Sequence, residues 1–192
     1  SERMERQAKR FGLEIIQGPV KEISLHDKIK KIILDEGQTY EAKAIILATG
    51  ANPKPIMVEG EEKYRGRGVS YCATCDGAFF QDKKIAVIGG GNSAVQEAIF
   101  LTKFAEVVYV VHRRDELRAE KIIQERAFSN PKIKFIWNSV AEKIEGTDAV
   151  NTLFLKDVKT GETSKIDVEG IFIYVGYNPN TEFLKGLVRL DE

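Results

Sequence analysis

The sequence predicts an α/β fold built around a parallel sheet. Two short runs rich in β-branched residues, residues 84–88 and 107–111, are typical of strands that are buried on both faces. Between them, apolar residues at positions 95, 98, 99 and 101 recur with helical spacing. A strand, a helix and a second strand in this order form the unit from which parallel sheets are built.

A glycine-rich turn joins the first strand to the helix. Gly89, Gly91 and Ala94 fit the pattern G-x-G-x-x-A, with Asn92 and Ser93 at the start of the helix. The first glycine permits a tight turn, the second lets backbone N–H groups approach a pyrophosphate, and the small third residue lets helix and strand pack closely. The helix N-terminus also favours an anion. The sequence therefore predicts a Rossmann-like nucleotide-binding domain.

Basic residues follow the second strand, where dinucleotide-binding proteins contact the ribose. His112, Arg113 and Arg114 come directly after it, and Arg118 lies four residues further on. NAD-binding domains usually carry an acidic residue at this position, whereas guanidinium groups suit a 2′-phosphate. The pattern therefore predicts a preference for NADPH over NADH. The alternative for Arg113 and Arg114 is a solvated loop that holds no ligand.

The only two cysteines form a Cys-x-x-Cys pair, Cys72 and Cys75. A disulfide-stapled secreted scaffold would need more cysteines. A Cys2His2 zinc site needs a regular histidine pair, but His26 and His112 lie far away in sequence, so no metal site is predicted. The spacing favours a redox pair, in which one thiol is often acidified. Asp76 follows directly, and its carboxylate could carry a proton during thiol–disulfide exchange. Two buried, inert cysteines beside a helix-stabilising carboxylate remain the alternative.

The remaining patterns predict the order of the other elements. Before the cysteines they predict a helix over residues 1–11, strands over residues 13–16, 19–26, 28–34, 39–41 and 44–50, a proline-containing linker over residues 52–55, and a strand over residues 69–71. The cysteine pair opens a helix that runs through residues 79–80. Later segments predict a helix over residues 120–128 and strands over residues 133–137, 139–145, 150–158, 163–168 and 170–175, the middle three forming an antiparallel β-meander.

This order divides the chain into three parts. Residues 55–176 form one complete nucleotide-binding domain, residues 1–54 form an incomplete piece of another domain, and residues 177–192 begin the return into it. The chain begins inside an amphipathic pattern, which indicates a fragment of a longer polypeptide.

Composition excludes several classes of protein. Lys plus Arg and Asp plus Glu each number 29, so the chain lacks the basic excess of nucleic-acid-binding proteins. No apolar run approaches the roughly 20 residues that span a bilayer, and the charged N-terminal segment has no signal-peptide core. We therefore expect a cytoplasmic protein that binds neither nucleic acid nor membranes.

Taken together, the motifs resemble those of the low-molecular-weight thioredoxin reductases along the whole chain. The most specific part is the segment Cys72-Ala73-Thr74-Cys75-Asp76-Gly77 ahead of the glycine-rich turn, supported by the cluster at residues 112–114 and 118–121. Residues 48–50 and 176–181 resemble the two crossovers between the domains of this family. The resemblance implies a flavoprotein architecture with two dinucleotide-binding domains.

The resemblance also implies a function. Electrons would pass from NADPH to FAD, then to the disulfide, then to thioredoxin, in an enzyme that usually forms homodimers. Cys75 would lie next to the flavin, Cys72 would attack thioredoxin, and Asp76 would be the acid/base. Cofactor contacts would come from Gly89, Gly91, Asn92, Ser93, Ala94, His112, Arg113, Arg114 and Arg118, and from Ala48, Thr49 and Gly50 at the first crossover.

The sequence departs from the family in its flavin-binding segments. It contains neither the N-terminal glycine-rich turn that holds the FAD pyrophosphate nor the Gly-Asp segment that holds the flavin. We expect this chain to retain NADPH binding and the thiol pair. The alternatives are a flavin-free NADP-binding redox module, a flavoprotein that reduces a different thiol partner such as a peroxidase, and a nucleotide-binding domain with incidental cysteines.

Overall fold

The computed structural model describes residues 2–25 and 28–189. Among these residues, no helix has the length and apolar character that crossing a membrane requires. The chain forms two compact units, one of Ser1–Gly50 with Asn180–Glu192 and one of Ala51–Pro179.

The first unit contains a helix and a small antiparallel sheet. The helix α1 spans Glu2–Lys9, and none of its residues is buried. The strands β1 (Val20–Ser24), β2 (Lys30–Leu34) and β3 (Thr39–Ala42) pair in the order β1-β2-β3, as predicted. The turn predicted at His26 and Asp27 lies outside the described residues.

Two predicted strands of the first unit are wrong. Neither residues 13–16 nor residues 44–50 form a strand, and Ile46 is 94% exposed although it was expected to be buried. Both segments have the apolar composition of strands, but a strand also needs a neighbouring backbone to pair with. Within the described part of this unit, the paired strands are β1, β2 and β3.

The second unit contains most of the secondary structure. In chain order, its elements are β4 (Ala51–Pro53), β5 (Val69–Ser70), α2 (Ala73–Asp76), a 3₁₀ helix (Gly77–Phe80), β6 (Lys84–Ile88), α3 (Asn92–Leu101), β7 (Val107–Val111), α4 (Lys121–Phe128), β8 (Ile133–Ile136), β9 (Ser139–Gly146), β10 (Val150–Asp157), β11 (Thr163–Asp167), β12 (Gly170–Ile173) and β13 (Tyr177–Pro179). The C-terminal segment of the first unit contains a 3₁₀ helix over Glu182–Leu184.

A parallel sheet forms the centre of this unit. Its strand order is β5-β12-β6-β7-β8, and all four neighbouring pairs run parallel. Successive side chains of a strand point to opposite faces. Ile85 and Val87 therefore join one buried cluster with residues of α3 and α4, whereas Ala86 and Ile88 join a second cluster with the meander residues Ile144, Leu153 and Leu155. The sheet is thus covered on both faces, and the predicted α/β fold class is confirmed.

The antiparallel meander and the strand edges follow the predicted pattern with one correction. β9, β10 and β11 pair antiparallel in the order β11-β10-β9, as expected. The segment predicted as a linker, residues 52–55, is extended but is not free, because β4 pairs antiparallel with β13. Proline is tolerated in such short peripheral strands, where an N–H group need not be donated to a neighbour. Pairing of β4 with β13 places the boundaries of the unit at Ala51 and Pro179.

We expect replacement of Gly60 by alanine to destabilise the second unit more than replacement of Gly161. Both glycines have positive φ, but a Cβ at Gly60 would overlap the carbonyl oxygen of Ile144, whereas a Cβ at Gly161 would meet nothing within 4 Å. The left-handed backbone should cost about 1 kcal/mol in each variant, and the overlap should add about 2 kcal/mol in Gly60→Ala. Urea unfolding followed by the fluorescence of Trp137, the only tryptophan, measures both; equal losses would contradict the close approach.

Candidate functional site

The glycine-rich turn follows β6 and begins α3, as predicted. Gly89 has a φ of 143°, and a Cβ there would overlap the carbonyl oxygen of Tyr174 and lie 2.8 Å from the Cβ of Ala94. A Cβ at Gly90 would overlap the ring of His112. The fold itself therefore requires glycine at both positions.

Gly91 is different, because nothing in the fold requires it to be glycine. Its backbone has a φ of −90°, which any residue adopts, and a Cβ there would meet no atom within 4 Å. Gly91 caps a ten-residue helix, and the space beside it is open. This is the arrangement expected where a ligand, rather than the protein, approaches the backbone closely.

One backbone hydrogen bond holds the arginine-containing loop against the glycine-rich turn, and a second joins the loop to the segment after β8. The N–H group of Arg118 donates to the carbonyl of Gly90 at 2.8 Å, and the carbonyl of Arg114 accepts the N–H of Asn138 at 3.1 Å. Arg113 and Arg118 line a cleft together with Gly89, Gly90 and His112, whereas Arg114 is exposed and is not among the residues that line it. The loop thus places at least two guanidinium groups beside the turn.

Asn92 fixes the far end of this loop. Its side-chain oxygen accepts the N–H of Glu120 at 2.7 Å, and its side-chain nitrogen donates to the Glu120 carboxylate at 3.2 Å. Both polar groups of Asn92 therefore hold the loop onto the start of α3. Its neighbour Ser93 is exposed in the first turn of the helix, and Ala94 is fully buried against the sheet.

An ion pair neutralises one acidic residue of the loop. Lys159, in the turn between β10 and β11, lies 2.7 Å from the carboxylate of Asp115. The hydrogen bond from Lys159 holds the pKa of Asp115 below its usual value. The backbone N–H groups of Lys159 and Thr160 donate to Asp157, which fixes the turn that presents the lysine.

His112 lies at the bottom of the cleft and is almost fully buried. It is 4% exposed, and among the described residues its Nε2 atom has no hydrogen-bond partner. Burial is the main cause that lowers the pKa of His112, and the positive charges of Arg118, Arg114 and Arg113 lower it further. The imidazole is therefore neutral near pH 7. A buried polar atom without a partner at the base of a cleft is available to a ligand.

The two cysteines form a disulfide at the start of α2. Cys72 is the N-cap residue of this short helix, and its sulfur accepts the N–H of Cys75 at 3.2 Å. Ser70, at the end of β5, accepts the N–H of Cys72 at 3.0 Å and donates its own proton to Asp76 at 2.6 Å. Cys75 is exposed and Cys72 is half-buried. A helix begins at the pair, as predicted, but the α-helix ends at Asp76 and a 3₁₀ helix over Gly77–Phe80 follows it.

Two contributors to this region were not found from the sequence. Ser70 connects Cys72 to Asp76, but a single serine two residues before a cysteine belongs to no motif. Tyr174 follows β12, and its hydroxyl accepts the N–H of Ala73 at 2.7 Å, 101 positions apart in sequence. Only the pairing of β12 with β5 and β6 brings this tyrosine to the disulfide.

The predicted crossover residues Ala48, Thr49 and Gly50 belong to the first unit, whereas the other predicted site residues belong to the second. The hydroxyl of Thr49 donates to the carbonyl of Asn180 at 2.8 Å, and the Asn180 side chain donates back to Thr49 at 3.1 Å. The N–H of Asn180 also donates to the carbonyl of Gly50 at 3.0 Å. These bonds join the two chain segments of the first unit. In residues 2–25 and 28–189, no three metal-ligating side chains cluster.

A glycine-rich dinucleotide turn and a disulfide in one α/β unit define the class of a nucleotide-linked disulfide oxidoreductase. A family model described as pyridine nucleotide-disulphide oxidoreductase matches residues 2–191, and the chain belongs to this family. The chain is 48% identical to a thioredoxin reductase from Peptoclostridium acidaminophilum, over 100% of this chain and 62% of the relative. It is 48% identical to another from Streptomyces coelicolor, over 98% and 58%.

Solved structures agree with these relatives. The crystal structure of Lactococcus lactis thioredoxin reductase in the FR conformation has a TM-score of 0.88 and 49% identity, covering 100% of this chain and 63% of that one. The resemblance to thioredoxin reductases inferred from the sequence is therefore confirmed, as is the flavoprotein fold with two dinucleotide-binding domains. The chain spans about three-fifths of the length of the relatives it matches.

We expect His112 to make the second unit less stable at acidic pH. The pKa of a histidine in the unfolded chain is about 6.5, and the pKa of His112 in the folded chain is lower. Above the unfolded pKa both states are neutral. As the pH falls below it, the unfolded state takes up a proton first, so stability declines until the folded pKa is reached.

Urea unfolding at pH 7.5 and pH 5.5, followed by Trp137 fluorescence, tests this expectation. The wild-type chain should lose more unfolding free energy between the two pH values than His112→Gln. The variant His26→Gln removes the only other histidine and should behave like the wild type. An unchanged pH dependence in His112→Gln would contradict the assignment.

Proposed function

We propose that this chain is part of a thioredoxin-disulfide reductase, an enzyme that carries electrons from NADPH through FAD to the Cys72–Cys75 disulfide and on to thioredoxin. The observation that carries the proposal is the placement of this disulfide and an arginine-rimmed dinucleotide cleft in one unit. Residues 55–176 would form the NADPH-binding domain. Residues 1–54 would belong to the FAD-binding domain, and residues 177–192 would lead back into it.

The polar groups in and beside the cleft would suit NADPH. The open space beside Gly91 and the N-terminus of α3 would receive the pyrophosphate. Arg113 and Arg118 in the cleft, with Arg114 on the same loop, would bind the 2′-phosphate through charge-assisted hydrogen bonds. The neutral His112 offers an unpartnered ring nitrogen at the base of this site. When bound, NADPH supplies the two electrons that the disulfide finally receives.

The described residues do not provide a comparable site for FAD. In the described part of Ser1–Gly50 with Asn180–Glu192, no glycine-rich turn joins a strand to a helix. Ala48, Thr49 and Gly50 are exposed, and the polar atoms of Thr49 are engaged with Asn180. FAD would therefore be held by the full-length protein.

The disulfide turn provides the groups that thiol exchange requires. In the reduced pair, one thiolate would attack the disulfide of thioredoxin, so that one sulfur–sulfur bond breaks as a mixed disulfide forms. The second thiol would then attack the mixed disulfide, which re-forms the Cys72–Cys75 bond and releases thioredoxin as a dithiol. Two electrons and two protons are transferred. Asp76, whose carboxylate accepts the Ser70 hydroxyl, would exchange these protons.

Two further properties belong to the same proposal. We expect the full-length protein to be a homodimer and to act in the cytoplasm, as implied by the resemblance to thioredoxin reductases. Size-exclusion chromatography with light scattering of the full-length protein tests the first.

A flavin-free NADP-binding redox module is the second candidate, favoured because the described residues of the first unit contain no glycine-rich turn between a strand and a helix. A visible absorption spectrum of the purified 192-residue chain separates the two. Yellow flavin bands that bleach on addition of NADPH would assign the reductase reaction to this chain. A colourless chain that binds NADP would support the module or a fragment.

A flavoprotein that reduces another thiol partner would instead be recognised by its low activity with thioredoxin.

We expect the double variant Arg113→Ala/Arg114→Ala to weaken NADP⁺ binding far more than NAD⁺ binding. Loss of two charge-assisted contacts to a phosphate should weaken NADP⁺ binding by about a hundredfold. NAD⁺ binding should be affected far less, because NAD⁺ lacks the 2′-phosphate. Isothermal titration calorimetry of the 192-residue chain measures both. The exposed Arg126→Ala in α4 is the matched control. Equal losses for the two nucleotides would exclude a 2′-phosphate site.

We expect Cys72→Ser and Cys75→Ser each to abolish thioredoxin reduction in the full-length protein, because the exchange needs both sulfurs. The loss should exceed about a hundredfold, whereas the exposed Ser164→Ala in β11 should keep full activity. A normal rate in Cys72→Ser would contradict the proposal.

The same variants identify the attacking thiol. If Cys72 attacks thioredoxin, Cys75→Ser retains that thiol and should accumulate a mixed disulfide with thioredoxin, visible on a non-reducing gel. Accumulation in Cys72→Ser alone would assign the attack to Cys75, whose exposed position also suits it.

A further inference from the structure

Tyr174 connects the end of a central strand to the first residue of the disulfide helix. It follows β12, and its hydroxyl oxygen accepts the N–H of Ala73 at 2.7 Å. Ala73 is 1% exposed, so water does not reach this N–H group in place of the tyrosine. The first N–H groups of a helix have no partner within it. The tyrosine therefore satisfies a buried donor at the residue that follows Cys72.

The disulfide turn is fixed at three backbone N–H groups within four residues. Ser70 accepts the N–H of Cys72, Tyr174 accepts the N–H of Ala73, and the sulfur of Cys72 accepts the N–H of Cys75. Ser70 and Tyr174 lie just at the ends of two neighbouring strands, β5 and β12. The rigid edge of the sheet thus holds the backbone on which the two sulfurs meet.

We propose that Tyr174 is a positioning residue that stabilises the Cys72–Cys75 disulfide relative to its dithiol. While the sulfurs are bonded, the turn cannot move, and an Ala73 N–H without the tyrosine hydroxyl would remain buried and unpartnered. Once the sulfurs are separate thiols, the turn can open and let water reach that N–H group. Removal of the hydroxyl therefore penalises the disulfide more than the dithiol.

The surroundings of Tyr174 keep its hydroxyl protonated. Burial is the main cause that raises the pKa of Tyr174, and together with the nearby carboxylates of Glu97 and Asp76 it brings the pKa to about 12. The hydrogen bond to Ala73 acts in the opposite direction. The side chain is half-buried, also lines the nucleotide cleft, and packs against the helix-side core. The proposed role concerns the hydroxyl alone, so Tyr174→Phe retains the ring and its packing.

The inference rests on the proposed function only in taking the Cys72–Cys75 pair as a reversible redox centre. Its test uses the purified 192-residue chain equilibrated with mixtures of reduced and oxidised dithiothreitol. In this reaction the protein disulfide is reduced to two thiols while dithiothreitol forms one intramolecular disulfide, so two electrons and two protons are transferred. The dithiol fraction is measured by acid quenching, thiol alkylation and mass spectrometry.

We expect the equilibrium constant for reduction of Tyr174→Phe to be about tenfold larger than that of the wild type. Tyr109→Phe is the matched control, because Tyr109 is a half-buried tyrosine of the same sheet that packs on the meander side. Its equilibrium constant should stay within about twofold of the wild type. A Tyr174→Phe value equal to that of the wild type would overturn the proposal. Absence of a reversible disulfide in the wild type would instead overturn the proposed function.

Amide hydrogen exchange of the wild type provides a test that needs no variant. The Ala73 N–H should exchange slowly in the disulfide form and at least about tenfold faster after reduction, because the turn can then open. The exchange of residues in β7 should not change. Equal protection of Ala73 in the two redox forms would overturn the proposal even if Tyr174→Phe failed to fold.

Discussion

The parallel alignment of β5, β12, β6 and β7 is the constraint on which the rest of the site depends. The carboxyl ends of parallel strands lie along one edge of a sheet, which is where ligands bind in open α/β folds. In this chain, each of the four strands is followed directly or within two residues by a group of the site. These groups are Cys72 after β5, Tyr174 after β12, Gly89 after β6 and His112 after β7. One sheet edge therefore carries both the disulfide and the dinucleotide cleft.

The close packing at this edge explains why two of its residues must be glycine. Gly89 has no room for a side chain because the Tyr174 carbonyl and Ala94 lie against it. Gly90 has none because the His112 ring lies against it. These contacts are properties of the folded chain and need no ligand. Gly91 is the exception, since the space beside it is empty. A pattern of three successive glycines thus has two physical origins, and only the structure separates them.

The sequence predicted the strands of the second unit's parallel sheet and meander correctly but predicted two strands of the first unit that do not form, and both outcomes have the same physical reason. Strands such as β6 and β7 are buried on both faces, and their continuous apolar runs are distinctive. Residues 44–50 have an equally apolar run but no paired strand among the described residues, so their apolar composition alone wrongly predicted a strand.

The site residues divide in the same way. Gly89 and Arg113 belong to motifs with fixed local spacing, whereas Ser70 and Tyr174 act through hydrogen bonds to the disulfide turn. The bond between Tyr174 and Ala73, 101 residues apart, follows from strand order, which the local pattern does not determine.

The shortest strand of the sheet has the largest consequence for chemistry. A sheet of β12, β6, β7 and β8 would already form the dinucleotide cleft, as many nucleotide-binding domains do without any thiol chemistry. β5 adds only Val69 and Ser70, paired with Ile171 and Phe172 of β12. Because Ser70 is the last residue of β5, its hydroxyl reaches both Cys72 and Asp76, and the adjacent β12 brings Tyr174 to Ala73. A two-residue extension of the sheet therefore places a redox pair within a nucleotide-binding unit, and the precision of that placement comes from the neighbouring strand rather than from the cysteine motif itself.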